Sequence, residues 1–200
     1  MALKTFVKIS GVNNLSDARY CAGMGVNQLG FNIEDKHPNY TDPQLFKELS
    51  DWVSGVDFVG EFDSLSAQGK VAEVISQYDL YAIQVSESSM IDEACETGKE
   101  VIYSASSLAD ASSIASQFGD KIAYILLEDE QAEPSSLEAL ASETELVIAS
   151  GFSTDNLEDV LGAIQPKGIA LKGGDEIRPG YKDFDQMADI LEALDADEWV

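Results

Sequence analysis

Residues 6–31 read FVKISGVNNLSDARYCAGMGVNQLGF, and the order of patterns within them decides the fold. Phe6–Ser10 is a short run with aromatic and β-branched side chains, closed by Gly11. Leu15–Met24 then sets Leu15, Ala18 and Ala22 at the spacing of one helix face. Asn27–Phe31 is a second short strand. A connection of this length with a helix inside it joins parallel strands, and such crossovers are right-handed.

The same unit recurs along the chain. Strands are expected at Phe6–Ser10, Asn27–Phe31, Val56–Phe62, Leu80–Val85, Glu100–Ser104, Ile122–Leu127, Leu146–Ala149 and Gly168–Leu171. Each precedes an amphipathic stretch of about ten to thirteen residues, as in Leu15–Met24 and Leu45–Val53. Eight βα repeats in 200 residues place the chain in the α/β class as a closed (β/α)8 barrel, the TIM-barrel architecture, at minimal length. An open doubly wound sheet usually has fewer strands. With no Gly/Ser/Pro-rich linker and no break in composition, residues 1–200 are expected to form a single domain.

Charge narrows the function classes. Against 37 Asp and Glu stand only 12 Lys and Arg, a formal net charge of −25. Nucleic acid and anionic membranes are repelled by such a surface, so neither is expected as a partner. The acidic residues read as a solvated surface suited to a salt-rich setting, or as an acidic docking face. The longest apolar runs fall short of a membrane span, and MALKTFVKIS lacks the apolar core of a signal peptide, so a cytoplasmic location is expected. Cys21 and Cys95 have no histidine nearby and read as buried thiols, not as a zinc site or a disulfide.

In a (β/α)8 barrel the chemistry collects where strands end and βα loops begin. Those ends carry Ser10-Gly11, Phe31-Asn32, Glu61-Phe62, Gln84-Val85-Ser86, Tyr103-Ser104, Leu127-Glu128, Ser150-Gly151 and Lys172-Gly173-Gly174. Loops after the seventh and eighth strands are the usual phosphate cradle of this fold. Ser150 and Gly151, before a helix expected near Thr154 or Asp155, and Lys172, Gly173 and Gly174 supply the parts: close backbone N–H groups, a helix N-terminus and a full positive charge. The alternative is that the glycines merely make tight turns.

The segments Val7-Lys8-Ile9-Ser10-Gly11-Val12, Gly25–Asn32, Pro38-Asn39-Tyr40, Val59-Gly60-Glu61-Phe62 and Pro179-Gly180-Tyr181-Lys182-Asp183 resemble the phosphoribosylanthranilate isomerase family in order and spacing. The resemblance implies a small barrel of tryptophan biosynthesis that performs an Amadori aldose-to-ketose rearrangement without metal or organic cofactor. It also implies a general base at the end of strand one and a general acid at the end of strand six. Carried over, the base position falls on Ser10, where the family has Cys, and the acid on Glu128, where the family has Asp. An unassisted hydroxyl is a far poorer base than a tuned thiolate. The arginine that resembles a clamp for the anthranilate carboxylate is here Asn39. Gln84 keeps the glutamine of the family's Gln-Leu-His-Gly, and the loop after strand six is the acidic Asp129-Glu130-Gln131-Ala132-Glu133.

Lys8 shares a strand face with Ser10, and Lys8, Asn39 and Gln84 are the expected substrate-binding residues. Lys8 reads as a structural lysine paired with a carboxylate inside the barrel, or as the partner that activates Ser10. Glu61 reads as a rim carboxylate or a solvated acid, and His37 as a surface residue in a loop that overhangs the site. These readings leave a divergent isomerase binding a small phosphorylated ligand, a catalytically inactive phosphate-ligand-binding barrel, or an isomerase of another phosphorylated sugar. The chain is expected as a monomer or homodimer.

Overall fold

A computed structural model describes residues 2–172, 176–178, 181–182 and 185–196. Eight parallel strands close into a barrel in sequence order: β1 (Phe6–Ser10), β2 (Gln28–Asn32), β3 (Asp57–Phe62), β4 (Ala82–Val85), β5 (Glu100–Ala105), β6 (Tyr124–Leu127), β7 (Leu146–Ile148) and β8 (Gly168–Lys172). Between them run α1 (Leu15–Gly23), α2 (Pro43–Ser50), α3 (Val71–Ile75), α4 (Ile91–Glu96), α5 (Leu108–Phe118), α6 (Pro134–Glu143) and α7 (Leu157–Ile164). A short antiparallel hairpin of β9 (Glu176–Arg178) and β10 (Tyr181–Lys182) precedes α8 (Asp185–Ala193). The sequence pattern gave no sign of that hairpin.

Element ends follow from local chemistry. Asn27 is not part of β2, because its side-chain oxygen accepts the Val7 N–H at 2.8 Å and leaves strand geometry to begin at Gln28. α2 starts at Pro43, ahead of the expected Leu45, because Asp42 accepts both the Gln44 and Leu45 N–H groups and Pro43 takes the first-turn position. α7 begins at Leu157, after the expected Thr154 or Asp155. α3 and α4 are only 5 and 6 residues long, shorter than their amphipathic stretches. Burial of Val71 and Ile75, and of Ile91 and Ala94, is all these helices need to cover their strands.

Strand alternation divides the core in two. Val7, Ile9, Leu29, Phe31, Ile83, Val85, Ile125, Leu127, Ile169 and Leu171 face outward into the large shell between barrel and helices. A second cluster, Val59, Ala82, Ile102, Tyr124, Leu126, Val147 and Ala170, fills the lower interior of the barrel. Above it the inward positions turn polar: Lys8 and Ser10, Asn32, Glu61 and Gln84 are all buried. Register keeps them level, with Asn32 opposite Glu61, Glu61 opposite Gln84, and Ser10 opposite Lys172. The apolar plug below and the polar layer above define the end of the barrel where chemistry is possible. Neither cysteine is in a disulfide; Cys21 is buried as expected, but Cys95 is half-exposed, since only one face of the short α4 meets the barrel.

Candidate active site

A cleft of about 950 Å³ opens over the C-terminal ends of the strands. Ser10, Glu61, Gln84, Glu128 and Lys172 line it, with Asn32, His37, Asn39 and Asp63 on the β2–β3 side. Expected site residues from five strands and the loop after β2 therefore converge. A second hollow of about 310 Å³ adjoins it and is lined by Ser150, Gly151, Phe152, Leu171, Lys172 and the α8 residues Met187 and Ile190. Lys172 lines both, so it stands between the reaction cleft and the expected phosphate cradle. Gly151 has φ of +81°, a backbone conformation that suits glycine and that tightens the turn after β7. Glu130 also lines the hollow and puts a negative charge at its edge. The expected phosphate ligands Gly173 and Gly174 lie outside the described residues.

The cleft floor is a linked polar unit. The Lys8 ammonium donates to Ser10 Oγ at 2.6 Å and forms a short ion pair with Glu61 Oε1. Glu61 Oε2 accepts the Gly11 N–H at 3.0 Å, and the positive φ of Gly11 turns the chain so that this N–H can reach it. Lys8 is thus paired to a carboxylate inside the barrel and also bonded to Ser10; fully buried and outside the cleft lining, it does not reach a ligand as the expected substrate-binding residue would. Glu61 is neither a rim group nor solvated, because only 4% of it is exposed. A charge buried this deeply requires a partner, and Lys8 supplies it.

The walls carry more acid than the strand ends alone suggested. Asp63 accepts from Asn32 Nδ2 at 2.9 Å and lies 3.5 Å from His37 Nε2. His37 is therefore a half-buried part of the cleft wall and not a surface residue, drawn in by Asp63. Burial raises the Asp63 pKa above its ordinary value, the Glu61 charge adds to the effect, and His37 and Asn32 oppose it. Glu34, beneath, accepts from the Asp63 N–H, Ser64 and Ser66, and holds the loop after β3. Asp110 accepts from the Tyr103 hydroxyl, whose pKa is raised by burial first and by Asp110 second. Asp129, in the acidic loop after β6, is tied down: it accepts the Leu108 N–H at the start of α5.

Glu128 pairs with Lys172 at 2.7 Å, across the boundary of the two hollows, with 37% and 67% of these side chains exposed. Gln84 is 4% exposed, lines the cleft, and its Oε1 has no hydrogen-bond partner among the described residues. That buried acceptor is open to a donor from the cleft. Asn39 is exposed on the cleft wall and bonds to His37 through its backbone. Among the described residues, no three His, Cys, Asp or Glu side chains are placed to hold a metal ion. Asp63, Glu87 and Asp110 are cleft residues that reading the strand ends missed. Each falls one to five residues beyond its strand, so a reading carried further into the βα loops reaches them.

These features define a small (β/α)8 barrel with buried polar and acidic groups over its apolar plug and a second hollow beside them. No family model matches the sequence. The sequence is 27% identical over 210 residues to the N-(5'-phosphoribosyl)anthranilate isomerase of Gloeothece citriformis, covering 94% of this chain and 93% of that protein. Two solved structures share the fold, each at 23% identity and covering 95% of this chain and 98% of theirs. One is a monomeric form generated from the dimeric phosphoribosylanthranilate isomerase of Thermotoga maritima, with TM-score 0.77. The other is a phosphoribosylanthranilate isomerase in complex with reduced 1-(o-carboxyphenylamino)-1-deoxyribulose 5-phosphate, with TM-score 0.78. Over nearly its whole length the chain is similar to phosphoribosylanthranilate isomerases, at the identity of a divergent relative.

Proposed function

We propose that this chain binds a phosphorylated ribose-type ligand and isomerises phosphoribosylanthranilate from its aldose-like to its ketose-like form, a step of tryptophan biosynthesis. The observation that carries the reading is the meeting of Ser10 and Glu128, on strands β1 and β6, in one cleft beside the hollow at Ser150, Gly151 and Lys172. In this reading the phosphate sits in that hollow, held by backbone N–H groups and the Lys172 ammonium. Glu128 donates a proton to the ring oxygen, which opens the sugar to an iminium ion. Ser10, in the base position, takes the proton from C2′, and the enamine that results relaxes to the ketose. Gln84 Oε1 accepts from a substrate hydroxyl or N–H. The acid–base groups belong to the one chain, so a monomer or a homodimer serves equally.

The carboxylates Glu61, Asp63, Glu87, Asp110 and Glu128 on the cleft favour a second reading, an isomerase whose phosphorylated sugar carries no carboxylate. Steady-state kinetics with phosphoribosylanthranilate separate the two. Under the first, Glu128→Ala abolishes turnover, Ser10→Cys raises it by roughly tenfold or more, and Asn39→Arg lowers KM more than it raises kcat. If neither Ser10→Cys nor the Ser10→Cys/Asn39→Arg double variant turns over this substrate while phosphate still binds, the first reading fails.

A further inference from the structure

The cleft floor spends a buried ion pair on a serine. Lys8 is fully buried, Glu61 nearly so, and the Lys8 ammonium joins Glu61 to the one hydroxyl that faces the cleft from β1. The barrel is cut to hold them. A Cβ at Gly30 would collide with the Glu61 carboxylate and lie 2.9 Å from Lys8 Nζ, so any larger residue there displaces the pair. Stability gives little reason for such a pair, since apolar residues of the same volume commonly serve as well or better. Chemistry gives one. Ser10 Oγ accepts from Lys8, and a hydroxyl needs a neighbouring proton acceptor to act as a base.

We propose that Lys8 and Glu61 convert Ser10 into a working base, with Ser10 as the contact atom, Lys8 as the conduit and Glu61 as the store of the proton. The inference rests on the isomerase reading for its substrate, not for its machinery. At rest Lys8 is an ammonium and Glu61 a carboxylate. Passage of one proton from Lys8 to Glu61 along their short contact leaves a neutral amine and a neutral acid, and removes two buried charges. The amine then takes the Ser10 hydroxyl proton while Ser10 Oγ takes the proton from C2′ of the iminium substrate. The C2′–H bond breaks, its electron pair becomes the C1′=C2′ double bond, and the iminium nitrogen receives the displaced pair. Ser10 is again a hydroxyl, Lys8 again an ammonium, and Glu61 holds the proton the substrate lost. Return of that proton to C1′ along the same relay, with the C2′ hydroxyl proton passing to the Glu128 carboxylate that ring opening left behind, gives the C2′ ketone and restores every group with no other reactant. Hydroxyl–lysine pairs serve as nucleophile and base on other folds.

The test uses the full chain and two readouts. Phenylmethanesulfonyl fluoride reports Ser10 reactivity without any isomerase assay: the Oγ–S bond forms, fluoride leaves, and the serine proton passes to Lys8 and Glu61. Peptide mass spectrometry is expected to find Ser10 labelled in wild type and at least roughly a hundredfold more slowly in Lys8→Met and Glu61→Gln. In turnover of phosphoribosylanthranilate, Ser10→Ala, Lys8→Met and Glu61→Gln are expected to fall to one common level, with kcat lost and KM little changed, and double variants no worse than single ones. The activity of Ser10→Cys is expected to be indifferent to Glu61→Gln, because a thiol needs no such store. The Lys8→Met/Glu61→Met variant, with apolar side chains of similar volume and its fold verified by circular dichroism, is expected to be as inactive as the single variants. Absence of labelling at wild-type Ser10, equal labelling in Lys8→Met, or turnover by Glu61→Gln or the folded double variant within about threefold of wild type overturns the proposal. Labelling that depends on Lys8 in a protein without turnover leaves the base assembly standing and removes the isomerase reading.

Discussion

Replacing Lys8 by Met removes the one cation that, among the described residues, pairs with the buried Glu61 carboxylate. The side chains are 0% and 5% exposed, so water does not take the place of the lost partner. Breaking a pair buried to this degree from one side costs about 3–5 kcal/mol, because a charge is left uncompensated in the interior. For a chain of this length each kcal/mol moves the melting temperature by roughly 2–4 °C, so Lys8→Met is expected to melt roughly 6–20 °C below wild type. Lys8→Met/Glu61→Met is expected to recover most of that loss. What remains is the Gly11 N–H left without its carboxylate acceptor, worth about 1–3 kcal/mol. Thermal unfolding followed by circular dichroism at fixed pH and salt, for wild type, both single variants and the double, gives the coupling directly. A Lys8→Met protein within about 1 kcal/mol of wild type, or a double variant as unstable as the sum of its singles, refutes the reasoning.

Three further outcomes follow from the same geometry. Lys172→Ala is expected to weaken inorganic phosphate binding by roughly ten- to a hundredfold in titration calorimetry, the worth of one charge-assisted hydrogen bond; equal affinity removes Lys172 from the hollow. Asp63 has its folded-state pKa raised, so in the pH range between its ordinary value and the raised one the folded state holds more protons than the unfolded chain. Stability is therefore lost as pH rises through that range, and urea unfolding across it is expected to show a shallower loss in Asp63→Asn; identical pH profiles contradict this. With a net charge of −25, the melting temperature is expected to rise as sodium chloride goes from about 0.01 M to about 1 M, where the screening length shrinks from roughly 30 Å to roughly 3 Å. A flat dependence shows that self-repulsion does not limit the fold.

The barrel was legible because its evidence is periodic: each strand repeats the same short apolar run, and β1 and β3 end where the pattern of Phe6–Ser10 and Val56–Phe62 ends. The strand-end rule points to Ser10, Gln84, Glu128 and Lys172, and all four line one cleft. The partnership of Lys8 with Glu61 was half legible, since alternation put Lys8 inside but could not name which of 37 acids it meets. That choice depends on the register of β1, β2 and β3 and on the space above Gly30, which are properties of the closed barrel. Asp63 and its contact with His37 were not legible for a similar reason, because their loops fold over the cleft through contacts between separate βα units.

The most direct measurement follows the carbon that changes. Phosphoribosylanthranilate labelled with ¹³C at C2′ is mixed with the purified chain, and the carbon spectrum is recorded over time. The account predicts conversion of the ring-carbon signal into a ketone signal, fast with wild type and absent above the uncatalysed rate with Glu128→Ala. A wild-type protein that binds phosphate yet produces no ketone signal above that background contradicts it.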